Sequence, residues 1–195
     1  MTATELDPHD RIAVEACIRR AMLGDAAAFA RLITAHYDRI YRLAYRCAGR
    51  REDAEDVAQE VSIKLAQNLT SYRFEAPFGA WLSRMVLNSA RDMLRVRSRR
   101  QGRETPLFED AEWLAGTDNP EQRTAARQTL ALVDKLPEAL RDTIILVFGE
   151  GMSHAEVATV LGCAETTISW RIHEARKQLQ ALQQQPVAEV KHGHA

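Results

Sequence analysis

Apolar residues recur along this chain at spacings of three and four, and nowhere do they alternate with polar ones for the length of a strand. No Asn-Gly or Asp-Gly pair marks a hairpin. The pattern predicts an all-α protein. A first helix is expected from near Asp10 to Met22, stopped at Gly24. Asp25 can cap a second, in which Phe29, Leu32, Ile33, His36, Tyr37, Ile40, Leu43, Ala44 and Cys47 form one broad apolar stripe ending at Gly49. A third begins near Glu52 and turns Ala54, Val57, Ala58, Val61 and Leu65 inward. Its other side then carries Asp53, Asp56, Gln59 and Glu60, with Lys64 four residues beyond Glu60.

A loop is expected over 68–79, containing Tyr72, Arg73, Phe74 and Pro77. The fourth helix runs from about Phe78 to Arg97, burying Trp81, Leu82, Met85, Val86, Ala90, Met93 and Leu94. On another face Arg84, Asn88, Arg91 and Arg95 line up at i, i+4, i+7 and i+11. Periodicity lapses from about Ser98 to Glu121, the expected linker, although Phe108, Trp113 and Leu114 are apolar for a spacer and can pack on a domain or in a partner's groove. Beyond it a helix is expected from about Pro120 to Lys135. Another has Pro137 at its first position and continues to Phe148. Ser153 and Glu156 have capping-box spacing at the start of a short helix that ends at Leu161. Gly162 makes a turn, and a last helix runs from about Ala164 past Leu182. Ala155, Val157, Ala158, Val160, Leu161, Ile168 and Ile172 supply the packing of this pair.

The expected organisation is two small helical domains joined by an acidic linker, the second containing a helix-turn-helix. An extension covers 1–23, the first domain 24–98, the linker 99–121, the second domain 122–185 and a flexible tail 186–195. Longer apolar runs are too short to span a bilayer, and the start MTATELDPHDR lacks a basic and apolar leader, so a cytoplasmic protein without membrane insertion is expected. Cys17, Cys47 and Cys163 are too few and too scattered for a disulfide framework and read as small buried hydrophobes on apolar helical faces. His192 and His194 belong to the solvated tail.

The net charge of −1 hides an asymmetry. Residues 1–100 hold 17 basic against 13 acidic residues, and residues 101–123 hold 2 against 6. Between Arg84 and Arg103 seven arginines face the single acid Asp92. Such a patch suits phosphate, but the whole chain is not basic enough to grip DNA by charge alone. A partner is needed for tight DNA binding.

Three constellations carry candidate chemistry. The last helix exposes Thr166, Thr167, Ser169, Trp170, Arg171, His173, Arg176 and Lys177, types that contact base edges and phosphates; the alternative is a structural helical hairpin. The carboxylates of Asp53, Asp56 and Glu60 read as a solvated face, a docking face for a basic partner, or a divalent-metal site that lacks further ligands. Tyr72 and Phe74 beside an arginine-rich helix suit single-stranded nucleic acid, or else anchor their loop to the core.

In this order the pieces resemble an extracytoplasmic-function (ECF) sigma factor, a small two-domain subunit of bacterial RNA polymerase. GDAAAFARLITAHYDRIYRLAYRCAG at 24–49 resembles the family's first conserved region, DAEDVAQEVSIKL from Asp53 its polymerase-binding helix, and FGAWLSRMVLNSARDMLR at 78–95 its promoter-melting segment. LPEALRDTIILVFGEGMSHAEVATVLG at 136–162 resembles the second domain. The resemblance implies that Asp53, Asp56, Gln59 and Glu60 dock on the clamp helices of the largest polymerase subunit. It implies that Tyr72, Arg73 and Phe74, with Arg84, Asn88, Arg91 and Arg95, engage an opened −10 element. Thr166, Thr167, Ser169, Trp170, Arg171, Arg176 and Lys177 would read the −35 element in the major groove. The second domain would sit by the polymerase flap, and the linker would thread toward the RNA exit region.

The implied partners are core RNA polymerase, promoter DNA and an anti-sigma factor, with no cofactor, no metal and no catalytic residue: the polymerase does the chemistry. Ala164-Glu165-Thr166-Thr167-Ile168 departs from the usual Ser-x-Gly-Thr-Val start, and losing the cap serine costs roughly 1 kcal/mol. Ser169, Trp170 and Glu174 also depart, so promoter preference is not carried over. The rival readings are a stand-alone helix-turn-helix regulator that never uses core polymerase, a metal-dependent nucleic-acid enzyme around Asp53, Asp56 and Glu60, and a sigma-like protein that binds polymerase without melting DNA.

Overall fold

The structure, a computed structural model, describes residues 6–101, 108 and 119–184, and all its regular elements are helical. Helix α1 (Arg11–Met22) starts where the Asp10 carboxylate accepts from the N–H groups of Ile12 and Ala13. Helix α2 (Ala26–Ala48) is capped by Asp25 at the Ala28 N–H and closed by Gly49. There φ is 73°, a left-handed conformation that only glycine adopts without steric cost. Helix α3 (Arg51–Asn68) runs into a 3-10 turn (Leu69–Ser71), and α4 covers Phe78–Gln101.

The C-terminal bundle follows. Asn119 caps α5 (Pro120–Asp134), with Pro120 in the first turn, where its missing N–H is harmless. Helix α6 (Glu138–Ile144) loosens into a π turn (Ile145–Gly149). Helix α7 (His154–Leu161) opens on a complete capping box between Ser153 and Glu156, and α8 spans Glu165–Gln184. Gly162, at φ 65°, makes the turn between α7 and α8.

Helix α2 is the spine. It packs against α1, α3, α4 and the π turn, and Leu32, Ile40, Leu43 and Ala44 on its stripe are fully buried. The inward row of α3 is buried at all five positions from Ala54 to Leu65. In the C-terminal bundle Leu136, Leu146, Val157 and Ile168 lie in the core. Each such side chain contributes on the order of 1.5–3 kcal/mol through burial.

Several expectations need correction. Helix α4 runs on to Gln101 rather than stopping at Arg97, whose guanidinium bonds the Asp53 carboxylate of α3. Pro137 is the N-cap of α6 and not its first helical residue, because its ψ of 144° is still extended. The regular α-helix there stops at Ile144, and the remainder to Gly149 widens into the π turn. Tyr37, placed on the α2 stripe, is 41% exposed, since one step beyond His36 turns it about 100° off the buried line. Ala155 sits in the outward first turn of α7 and is exposed. Cys163 lies in the turn after Gly162, half-buried, whereas Cys17 and Cys47 are buried in helices as expected.

The linker aromatic Phe108 is 1% exposed. Its N–H donates to the Gly49 carbonyl at 3.0 Å, and its ring meets Tyr45 edge-on. Of the two expected possibilities, it packs on the chain's own first bundle. Trp113, Leu114, the acidic stretch around them and the tail with His192 and His194 lie outside the described residues.

His36 is buried edge-on to Phe78, and neither ring nitrogen has a hydrogen-bond partner among the described residues. Burial, aided by the nearby Arg39 charge, pulls its pKa from 6.5 down to about 4. The unfolded chain therefore takes up a proton near pH 6.5 that the folded chain refuses until about pH 4. Stability should fall as pH drops through that window, by up to about 3 kcal/mol. Denaturant titrations of the wild type and His36→Leu at pH 7 and pH 4.5 check this: the substitution should remove most of the difference between the two pH values.

Candidate functional site

Each face of the candidate site follows from helical spacing, but the faces differ in what already occupies them. On α3 the buried row turns Asp53, Asp56, Gln59 and Glu60 outward. Asp53 is held by Arg97 from α4, and Glu60 pairs with Lys64 at 2.6 Å, while Lys64 also donates to Ser89 at 2.9 Å. Asp56 and Gln59 are exposed. Among the described residues no group of three His, Cys, Asp or Glu side chains could hold a metal ion.

The loop after the 3-10 turn is built on aromatics. Tyr72 is 8% exposed, meets the rings of Phe74 and Trp81 at a tilt and that of Phe78 edge-on, and donates its hydroxyl to the Ala76 carbonyl at 2.7 Å. Phe74 is half-buried at φ 59°, with the Arg19 guanidinium of α1 4.3 Å from its ring centroid. Arg73 between them is exposed. Tyr72 thus anchors the loop, and Phe74 lies under a cation. A left-handed conformation at a phenylalanine is a strained placement that its packing must hold.

The outer face of α4 does not face solvent throughout. Asn88 is exposed. Arg91 bonds the Asp142 carboxylate of α6 through Nε at 3.0 Å and also through Nη2, and it lies 3.2 Å from Glu138. Arg95 is 3.8 Å from Glu138 and 3.7 Å from Asp92. Arg84 reaches the helix-turn-helix turn: a Cβ added to Gly162 would sit 3.6 Å from its guanidinium. Further acids and cations meet nearby. Glu150, just after the π turn, accepts from Arg39 Nε at 2.9 Å and Arg46 Nη1 at 2.5 Å. Arg39 also reaches Ser83 at 3.2 Å.

Burial pushes the Asp142 carboxyl above its usual range despite the opposing pull of Arg91, and burial lowers the Arg46 guanidinium despite Glu150. Sequence reasoning missed Arg39, Arg46, Asp142 and Glu150. The one legible signal was Asp142, an acid one residue before the apolar run from Thr143 to Phe148.

On α8 the spacing places Thr166, Ser169, Trp170, His173 and Lys177 on one exposed face, with Arg176 beside it. Trp170 is 61% exposed. Thr167 and Arg171 are half-buried, and Ser169 Oγ lies 3.4 Å from His154 Nδ1 at the start of α7. Ile168, Ile172 and Ala175 hold the opposite face in the core. The Arg176 guanidinium stands 5.9 Å from the Phe148 ring. This is a rigid, polar helix presented by a tight turn, able to enter a groove.

Comparison with known proteins agrees with the arrangement. The Sigma-70 region 2 family matches residues 32–100, and the Sigma-70, region 4 family matches residues 126–179. The ECF RNA polymerase sigma-E factor of Haemophilus influenzae is 31% identical over 181 residues, covering 88% of this chain and 95% of that protein. The ECF RNA polymerase sigma factor SigE of Mycolicibacterium smegmatis is 38% identical over 165 residues, 80% of this chain but 63% of that longer protein. Among solved structures, CnrH in complex with the cytosolic domain of CnrY superposes with a TM-score of 0.66 at 27% identity, covering 89% of this chain and 96% of CnrH. The chain belongs to the ECF family of RNA polymerase sigma factors. It is an alternative sigma factor, directing core polymerase to promoters and promoting their opening, and not a stand-alone helix-turn-helix regulator.

The tie between Asp53 and Arg97 separates the structural from the exposed acids of α3. Asp53→Asn should lower stability by about 1.5–3 kcal/mol, the range for a hydrogen bond to a charged group. Asp56→Asn should change it by no more than about 0.5 kcal/mol. Urea denaturation of the two variants checks the contrast.

Proposed function

We propose a division of labour among the faces of this sigma factor. The α3 face, led by the exposed Asp56 and Gln59, docks on the clamp helices of the largest core subunit. Asp53 and Glu60 flank that contact. Arg73, Asn88 and the arginines Arg84, Arg91 and Arg95 receive the −10 element as it opens, and the aromatic cluster of Tyr72 and Phe74 shapes the loop that holds a base out of the stack. The α8 face reads the −35 element from the major groove while the C-terminal bundle rests near the flap. The observation that carries this reading is the exposed α8 face, with its buried opposite row, in the same chain as an outward acidic face on α3.

The chain itself carries out no chemistry; the polymerase does. Its proposed place is the cytoplasm, where it would meet core polymerase and promoter DNA. An anti-sigma factor is the expected protein partner, supported by the similarity to CnrH, which was solved in complex with the cytosolic domain of CnrY. On this reading the exposed Trp170 and Ser169 of α8 meet the −35 element, which makes the promoter preference this chain's own.

Transcription in vitro with bacterial core polymerase on fragmented DNA from the source genome tests the reading. Defined transcripts should require this protein, and Asp56→Arg combined with Glu60→Arg should reduce them at least about tenfold, the equivalent of about 1.4 kcal/mol of docking energy. DNA binding with no association to core would sink it. On a promoter found this way, Trp170→Ala should weaken discrimination at the −35 element by about 1–3 kcal/mol per contacted base pair. Competition binding with substituted −35 sequences reads that out.

A further inference from the structure

The loop before α4 carries a residue that its backbone does not ask for. Phe74 has φ 59°, a left-handed conformation that glycine holds without cost and a β-carbon disfavours. Such a placement persists only where its surroundings hold it. Tyr72 and Arg19 supply the hold. The Tyr72 ring lies against Phe74 at a centroid distance of 4.7 Å, and Tyr72 is itself fixed through the Ala76 carbonyl. The Arg19 guanidinium of α1 stands 4.3 Å from the Phe74 centroid. Arg19 is aimed in turn: Glu15, one turn earlier, accepts from its Nε at 3.2 Å and from its Nη2 at 2.6 Å.

Stability does not account for this arrangement. The Arg19 and Glu15 side chains are 60% and 41% exposed, and an ion pair in that setting contributes little. Glycine at position 74 would relieve the backbone strain. Phe74 also stands, with Glu15 and Phe78, on the wall of an open cleft of about 930 Å³, which leaves room for a base drawn out of the stack. We infer that Arg19 is a positioning residue for base selection at the −10 element: with Glu15 it holds the Phe74 ring, and through it the loop from Tyr72 to Pro77, in the shape that receives the base. The inference rests on the −10 assignment proposed above and extends it to α1. Arg19 acts through Phe74 and not on the DNA itself. A direct contact with phosphate would serve all sequences equally, whereas a preset ring and loop favour one base over another.

Variants of the full chain test the inference: Arg19→Ala, Arg19→Lys, Phe74→Gly, and Arg19→Ala combined with Phe74→Gly. Helical content by circular dichroism verifies that each remains folded. Chymotryptic cleavage after Phe74 reports how firmly the ring is held, since it proceeds through the opened loop. It should be about two- to fivefold faster in Arg19→Ala, the range for loss of an exposed cation over an aromatic ring, and return toward wild type in Arg19→Lys. Holoenzymes made with core polymerase are then compared on a promoter found by transcription in vitro, with single substitutions through its −10 and −35 elements. In Arg19→Ala the preference for the favoured base should fall about two- to fivefold at one −10 position. Preference at −35 and affinity for core should match the wild type, and Arg19→Lys should recover most of the loss. Phe74→Gly should lose at least as much, and adding Arg19→Ala to it should cost nothing more.

Unchanged cleavage in Arg19→Ala would overturn the hold on Phe74. Faster cleavage with the −10 preference intact would overturn its part in base selection. A uniform loss on every −10 sequence, persisting in the Phe74→Gly background, would mean that Arg19 touches phosphate, and would equally sink the inference. Failure of the −10 reading shows separately: Arg73→Ala and Asn88→Ala would then leave −10 preference unchanged while the cleavage contrast stands.

Discussion

Burial of the α2 stripe is the constraint on which the rest of the structure depends. Leu32, Ile40, Leu43 and Ala44 admit no water, so α1, α3 and α4 must close over three sides of one helix. With α3 locked by its own row from Ala54 to Leu65, its acidic residues have no direction but outward. With α4 locked through Leu82, Val86 and Ala90, Arg91 is set on the side that meets the second bundle and Arg97 on the side that meets α3. The candidate surfaces are thus by-products of where the apolar residues had to go, and their rigidity is borrowed from the core.

The junction between bundles follows a different logic. Its side-chain links include ion pairs, and two of the acids, Asp142 and Glu150, are nearly out of solvent. A carboxylate in that position without its cation would carry a desolvation penalty of several kcal/mol, so the arginines set the register of one bundle on the other. The π turn serves the same end. Widening the helix over Ile145–Gly149 brings Glu150 to Arg39 and Arg46, and Gly149 leaves room for the Arg46 side chain. The irregularity has an identifiable geometric product.

Local chemistry made most of the elements legible in advance. Asp25 and the Ser153–Glu156 pair are caps whose hydrogen bonds involve only neighbours in sequence, so spacing alone was enough to place them. The helix-turn-helix was legible for the same reason: Gly162 and the alternation of buried and exposed positions on α8 are local properties. Boundaries decided by distant partners were not. The last turn of α4 continues past Arg97, which bonds Asp53 across to α3, and no pattern within α4 announces that. Tyr37 belonged to the apolar stripe by type, but the neighbouring helices cover a narrower arc than the stripe offers.

The chain by itself therefore determined the helices, their caps, the inward rows and the residue types on each outward face, because these depend on interactions a few residues apart. Its motifs, taken together, were enough to point to the sigma family. What only the tertiary structure decided is which outward residues are engaged and with what. Tyr72 became an anchor and Phe74 went under Arg19, while Asp53 and Arg91 were claimed by partners 44 and 51 residues away. The first three depend on how the helices of the first bundle pack on one another, and the pairing of Arg91 on how the two bundles meet in space. A helical period carries no information about that meeting.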